Sequence, residues 1–321
     1  MSVFAHSIIN GGNANNLFRG IITSSGSVLP SENVKSTKAQ DVYDTVVSRA
    51  GCTGADSLQC LRDLSADELL KAGSSLNMEF RWLGGNPPYI PRPDDSDSFY
   101  PVAGDAAISS SKYAKVPMLT GNSEDEGTLF ALTQVNITND KALKDYLATY
   151  YPGNGEYATK LVSLYPNDLG ISGSPYRTGL SNNVFGQYKR LASILGDITF
   201  TFQRRFHLEK ISSEVRTWSY LSSSLHGAPI VGSMHGGDAL QTLSDSTSSP
   251  AITQQRWLVS FINKLDPNAL GVSPPLINLP SYSTSDPQQV QIKSSANNLV
   301  KDDYRMKQYE YWRDNIAKFR L

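Results

Sequence analysis

The spacing of apolar positions changes from stretch to stretch along this chain, and each change marks an element. Val3, Phe4, Ile8 and Ile9 among small residues predict a short helix over Met1–Asn10, ended by Gly11-Gly12-Asn13. No Ser, Thr or Asp stands before Met1 to cap it. Phe18–Ser25 predicts a strand, broken by Gly26. Thr37–Ala50 has a helical period with Val42, Val46 and Val47 on one face, and Ser65 with Glu68 forms a capping box that opens a helix through Lys71. Leu83–Pro101, rich in Gly, Pro and Asp, predicts a long irregular loop. Val116–Leu119 is a short apolar run of the kind found in buried parallel strands, stopping at Thr120 and Gly121. A helix around Asp140–Tyr151, a loop over Asp168–Gly179 and a longer helical stretch over Phe185–Phe206 come next, the last with Tyr188, Leu191, Leu195 and Ile198 on one face. Thr217–Leu221 predicts a strand by its β-branched and aromatic content, and polar His226–Asp238 comes after it. Ile252–Leu265 predicts a helix carrying Trp257, Leu258, Phe261 and Ile262, Asp266–Ser285 a Pro-punctuated loop, and Asp302–Phe319 a closing helix with Tyr309, Trp312, Ile316 and Phe319 aligned. Strands separated by helices over the whole length predict an α/β fold with a mostly parallel sheet.

Composition narrows the function classes. At 321 residues the chain can bury a large core. A formal net charge of −1 with no basic cluster argues against a nucleic-acid partner. No apolar run approaches the roughly 20 residues of a membrane helix, so no transmembrane segment is expected. The two cysteines, Cys52 and Cys60, flank a short polar stretch with no further metal ligands beside it. A local disulfide fits better, and a loop so short contributes roughly 2–3 kcal/mol in the chain-entropy account. Asn136-Ile137-Thr138 is a glycosylation sequon in a polar loop. Both features point to an oxidising, secreted setting, whereas MSVFAHSIIN has no signal-peptide pattern.

Candidate chemistry lies after two of the predicted strands. Glu124, Asp125 and Glu126 crowd one turn after the run ending at Leu119. An acidic run is usually solvated, but three adjacent carboxylates repel one another, so something should fix at least one. His235 sits among Gly232, Gly236 and Gly237, a setting that lets an imidazole stand clear of its neighbours, while His6, His207 and His226 lie in ordinary helical or turn contexts. Acid followed by histidine is the chain order of α/β-hydrolases, in which a serine precedes both.

The residues themselves carry a closer resemblance. Met1-Ser2-Val3 resembles the M-S-V directly after the nucleophile elbow in G-E-S-A-G-x-M-S-V, and Phe18–Gly26 resembles an LFRAGIMQSG segment. Tyr113–Phe130, read YAKVPMLTGNSEDEGTLF, is similar to KYAxVPxxxGxxxDEGTxF, and Gly173–Gly179, Gln187–Asp197, Asp266-Pro267-Asn268 and His235-Gly236 also fit. Together they resemble the C-terminal part of the type-B carboxylesterase family, which includes cholinesterases and fungal lipases, with the secreted yeast and fungal lipases most similar. The resemblance implies an α/β-hydrolase fold in which residues 1–321 form the C-terminal part of a single domain. It implies hydrolysis of carboxylic esters, acylglycerols in particular, through an acyl-enzyme, with Glu126 as the acid, His235 as the general base and no metal or organic cofactor. Cys52 and Cys60 match the family's second disulfide loop, and contact with a lipid interface is implied for the complete enzyme.

The family's nucleophile would lie four residues before Met1, and no G-x-S-x-G occurs in the 321 residues. The Gly-rich oxyanion loop, the lid and the first strands have no counterpart either. The expectation is therefore an N-terminally incomplete chain, inactive and poorly stable alone. Two rivals stand beside it. One is a non-catalytic cholinesterase-like binding protein, which the retention of both Glu126 and His235 disfavours. The other is a short protein that pairs with a separate N-terminal fragment.

Overall fold

Four parallel strands cross the middle of the computed structural model, and a fifth turns back beside them. Residues 2–26, 28–74, 76, 87–244, 247–271, 277–294 and 296–321 are described. The sheet runs in sequence order through β1 (Ile21–Ser24), β2 (Met118–Ser123), β3 (Thr217–Ser222), β4 (Gln288–Ile292) and β5 (Asn298–Lys301). β1 to β4 pair in parallel, while β4 and β5 are antiparallel. Every residue of β2 and β3 is buried, as expected of central parallel strands covered on both faces.

The two faces feed separate cores, because successive strand residues point to opposite sides. Met118 packs into a large cluster with Phe4 and Ile8 of α1 (Ser2–Ile8), Leu191 and Leu195 of α9 (Tyr188–Gly196), Phe202 and Phe206 of α10 (Phe202–Ile211), and Tyr309 and Trp312 of α13 (Met306–Asp314). Leu119 packs into the other, with Trp218 and Tyr220 of β3 and Trp257 and Phe261 of α12 (Ser249–Lys264). A third small cluster of Val47, Cys52 and Leu61 surrounds the Cys52–Cys60 disulfide, whose Cα atoms are 5.5 Å apart. Here α2 (Thr37–Arg49), α3 (Ser57–Asp63) and α4 (Ala66–Ser74) gather. The predicted capping box of α4 is closed in both directions, Ser65 N–H to Glu68 Oε2 at 3.0 Å and Glu68 N–H to Ser65 Oγ at 3.3 Å.

Several predicted bounds move. The strand read as ending at Leu119 continues through Thr120, Gly121, Asn122 and Ser123, because the polar side chains of Thr120 and Asn122 find buried partners. Thr120 accepts from Thr23 Oγ1 at 2.8 Å, and Asn122 accepts from Arg204. Gly121 is required by packing, since a Cβ there would stand 2.3 Å from the Tyr220 ring. The segment between the cysteines, read as a polar loop, winds into α3 with Cys60 on it. Two short helices, α5 (Gly104–Ser109) and the single turn α6 (Thr128–Ala131), are too brief for a periodic signal. By contrast α8 (Gly155–Ser163), which comes after α7 (Asp140–Ala148), is absent from the predicted elements although Tyr157, Ala158, Leu161 and Val162 recur at helical spacing. The predicted loop over Leu83–Pro101 is irregular from residue 87 on, and its first four residues lie outside the described residues. The closing helix begins at Met306 instead of Asp302, because Asp302 is taken into a buried ion cluster. The predicted Phe185–Phe206 helix is split by a π-turn, Asp197–Thr201, between α9 and α10. β4 and β5 have no counterpart among the predicted elements: in β4 only Val290 and Ile292 alternate with polar Gln, and β5 is four residues long, so the apolar signal of each is short. Gln289 and Gln291 are nonetheless buried, the latter donating to Ser223 Oγ at 2.8 Å.

Candidate active site

The carboxyl ends of β2 and β3 release two loops side by side, and the acidic turn meets the histidine loop there. Each of the three adjacent carboxylates has its own partner, so the solvated reading of this turn fails. Glu124 faces Arg177 with both oxygens, one contact being 2.7 Å. Asp125 is fully buried and accepts from Ser174 Oγ at 2.8 Å, Tyr176 N–H at 3.0 Å and Ser233 N–H at 2.8 Å. Glu126 turns the other way. Its Oε2 lies 2.6 Å from His235 Nδ1 across 109 residues of sequence.

The remaining oxygen of Glu126 is held by three donors. Oε1 accepts from Ser25 Oγ at 2.5 Å, Ser123 N–H at 2.6 Å and Asn122 Nδ2 at 3.3 Å. With Oε1 occupied, Oε2 is the oxygen left for the imidazole, and a carboxylate at Nδ1 fixes that nitrogen as the proton donor. The other ring nitrogen, Nε2, has no hydrogen-bond partner among the described residues, and the His235 side chain is 34% exposed. Phe200, on the π-turn, lies over the imidazole with ring centroids 4.5 Å apart, and Phe130 of α6 sits 5.4 Å away. These rings fix the plane of the imidazole and keep its flank apolar.

The histidine loop is fastened to the acid loop by more than the pair. Asp125 N–H donates to Ser233 O at 3.0 Å, and Thr128 Oγ1 donates to Val231 O at 2.9 Å. Immediately after His235, Gly236 takes φ +80°, a conformation that L side chains rarely adopt, and turns the chain into α11 (Gly237–Leu243). Asp238 in the first turn of α11 is buried, accepts from Tyr220 Oη at 2.7 Å, and is joined through that hydroxyl to Ser24 Oγ.

Electrostatics favour the protonated imidazole. Burial works against a charge on His235, but the hydrogen bond and charge of Glu126, with the charge of Asp238, outweigh it and raise its pKa above the ordinary 6.5. Burial raises the Asp238 carboxyl as well, with the Tyr220 hydrogen bond opposing and the Glu126 charge adding to the rise. Asp125 is pushed up by burial and by Glu124, against its three donors.

The structure thus brings together Glu126 and His235, as the sequence reading expects. It also shows what that reading missed. Asn122, Phe200 and Asp238 carry no motif of their own, Ser25 lies in the Phe18–Gly26 segment with no role assigned to it, and only the topology makes them neighbours. The position of Met1 lies outside the described residues. Asn136, in the predicted sequon, is exposed.

A model described as the carboxylesterase family matches residues 1–312. The chain belongs to the carboxylesterase family. Among curated relatives, it is 39% identical over 330 residues to secreted lipase 1 of Botryotinia fuckeliana, covering 99% of this chain and 57% of that protein. It is 39% identical to a secreted triacylglycerol lipase of Gibberella zeae, covering 97% and 54%, and 34% identical to lipase 2 of Diutina rugosa, covering 99% and 58%. The chain therefore spans a little over half the length of these relatives. Among solved structures, Aspergillus niger EstA superposes with a TM-score of 0.75 at 19% identity, covering 100% of this chain and 63% of that one. At that identity the likeness speaks to the fold alone, which is the α/β-hydrolase fold.

Proposed function

We propose that this carboxylesterase-family chain supplies the acid and the general base of a serine ester hydrolase acting on acylglycerol-type carboxylic esters. One observation carries the reading: Glu126 Oε2 holds His235 Nδ1 at 2.6 Å while the rest of the imidazole reaches the protein surface. In that arrangement Nε2 accepts the proton of a serine hydroxyl as the hydroxyl attacks the ester carbonyl, and later returns it to the leaving alcohol. Glu126 keeps the imidazole in the required tautomer and stabilises its cation. The names of the fungal relatives support a triacylglycerol substrate, contact with a lipid interface and secretion. The disulfide and exposed Asn136, as a glycosylated residue, fit the same setting.

We propose further that the nucleophilic serine lies outside these 321 residues, since they contain no G-x-S-x-G, and that the chain alone hydrolyses esters near the background rate. A fluorophosphonate probe and a tributyrin assay test both parts. The expected result is no probe labelling of the 321-residue chain. In a polypeptide that also carries the elbow, labelling and turnover should be lost in His235→Ala. A labelled serine within the 321 residues overturns the placement of the nucleophile. Turnover that survives His235→Ala overturns the function.

A further inference from the structure

One buried ion cluster beside β2 reaches the acid by a single amide. Arg204 and Arg205 of α10 both pair with Asp302, which comes just after β5, at 2.8 Å, and the Arg204 and Asp302 side chains are 1% and 0% exposed. Burial would raise the Asp302 carboxyl, but the two guanidinium charges overturn that and hold it well below the usual range. Two cations on one anion leave unmatched positive charge with no solvent to spread it, so the remaining guanidinium N–H groups must find acceptors. Arg204 Nη1 finds Ser219 Oγ at 2.8 Å, and Arg204 Nε finds Asn122 Oδ1 at 2.5 Å.

That second bond determines what Asn122 presents on its other side. With the amide oxygen facing a guanidinium, the NH2 group must point away, and it points at Glu126 Oε1, 3.3 Å distant. A flipped amide would set NH2 against the guanidinium and its oxygen against a carboxylate, so both neighbours enforce one orientation. Asn122 is itself 1% exposed, so no water competes for either contact.

We propose that Asn122, oriented and polarised by Arg204, is a positioning residue for Glu126: it captures Oε1 so that Oε2 is held toward His235. The proposal rests on the reading of Glu126 as the acid. It makes the C-terminal ion cluster part of the machinery that aims the general base. Of the three donors to Oε1, Ser123 N–H is fixed by the backbone and Ser25 Oγ is a freely rotating hydroxyl. Asn122 is the one whose direction is imposed by a charge. Other titratable or charged groups near the pair are Asp238 on α11, Tyr220 on β3, Asp125 and Glu124 in the acid turn, and Arg205 and Asp302 in the cluster.

The test reads His235 directly and needs no nucleophile. The chain has four histidines, so selective 13C-histidine labelling gives a short spectrum in which His235→Ala assigns the signal. In Asn122→Leu the His235 midpoint should fall by about half a pH unit or more, because the carboxylate turns away from Nδ1. Asn122→Thr, which suits a strand and cannot reach Glu126, should do the same and stands in if the leucine variant does not fold. Ser219→Ala serves as the control, because it removes a bond of the same cluster without touching Glu126. It should lower the melting temperature and leave the His235 midpoint in place. If the Asn122 variants lose stability without moving His235, the residue is merely structural and the proposal is overturned. An upward shift overturns it too, since the amide would then be competing with His235 for the carboxylate. Loss of the proposed ester chemistry would leave the titration result standing, so the two failures are distinguishable.

Discussion

Glu126 and His235 meet at 2.6 Å because two parallel strands, β2 and β3, deliver their outgoing loops to the same edge of the sheet. The acid is buried and the imidazole is partly open, so the pair joins the interior to the surface. Its energetics stem from that position. The imidazolium costs free energy to bury, and the carboxylate offsets the cost.

Glu126→Gln separates those contributions. The glutamine keeps the shape, loses the charge and should lower the His235 midpoint, measured by the same histidine spectra. The effect on stability has a definite sign. A folded-state pKa above 6.5 means that the stabilisation is complete below about pH 6.5, where the unfolded chain is also protonated. It is lost as pH rises through the folded midpoint. The stability gap between wild type and Glu126→Gln should therefore be largest in mild acid and shrink in alkali. A gap that grows with pH would contradict the assignment. In a polypeptide with the nucleophile, kcat/KM should fall roughly 10³–10⁴-fold.

Much of this site is legible in the sequence. The acid turn and the Gly-flanked histidine each come after a stretch with strand composition, which places the turn and His235 on one edge, while the choice of Glu126 over Glu124 and Asp125 comes from the family resemblance. The alternation of helix and strand periods likewise gives the parallel core. The misread stretches share a physical cause. Thr120 and Asn122 look like a turn because their polarity is read as solvation, yet each is satisfied inside the sheet by a partner brought to it by the fold. Gln289 and Gln291 hide β4 for the same reason. The role of Asp125 is equally out of reach, since its three donors come from residues 49 to 108 positions away.

Asp125→Ala tests that clamp. The substitution leaves Ser174 Oγ and the amides of Tyr176 and Ser233 buried without an acceptor, each costing about 1–3 kcal/mol. A loss of roughly 3 kcal/mol or more is expected in urea unfolding. Because the Ser233 amide is two residues from His235, its hydrogen exchange should accelerate more than that of amides in β4. Uniform acceleration across the sheet would mean that Asp125 supports the fold in general and not the histidine loop.

Gly121→Ala probes how the sheet itself sets the site. The new methyl group would stand 2.3 Å from the Tyr220 ring, and since Gly121 lies within β2 the backbone has little freedom to retreat. The ring must shift, and the Tyr220 hydroxyl is the group that donates to Asp238 and reaches Ser24. Overpacking of this kind costs about 1–3 kcal/mol, so the melting temperature should fall by several degrees. The second expected effect is chemical. With its hydrogen bond to Tyr220 broken, buried Asp238 loses the donor that favours its charged form and takes up a proton more readily. One of the negative charges that raise His235 is then gone, so the His235 midpoint should drop along with stability. Tyr220→Phe should reproduce the drop in midpoint with a smaller loss of stability, because it removes the hydroxyl without crowding the strand. If Gly121→Ala lowers stability while both variants leave His235 unmoved, Asp238 does not act on the imidazole.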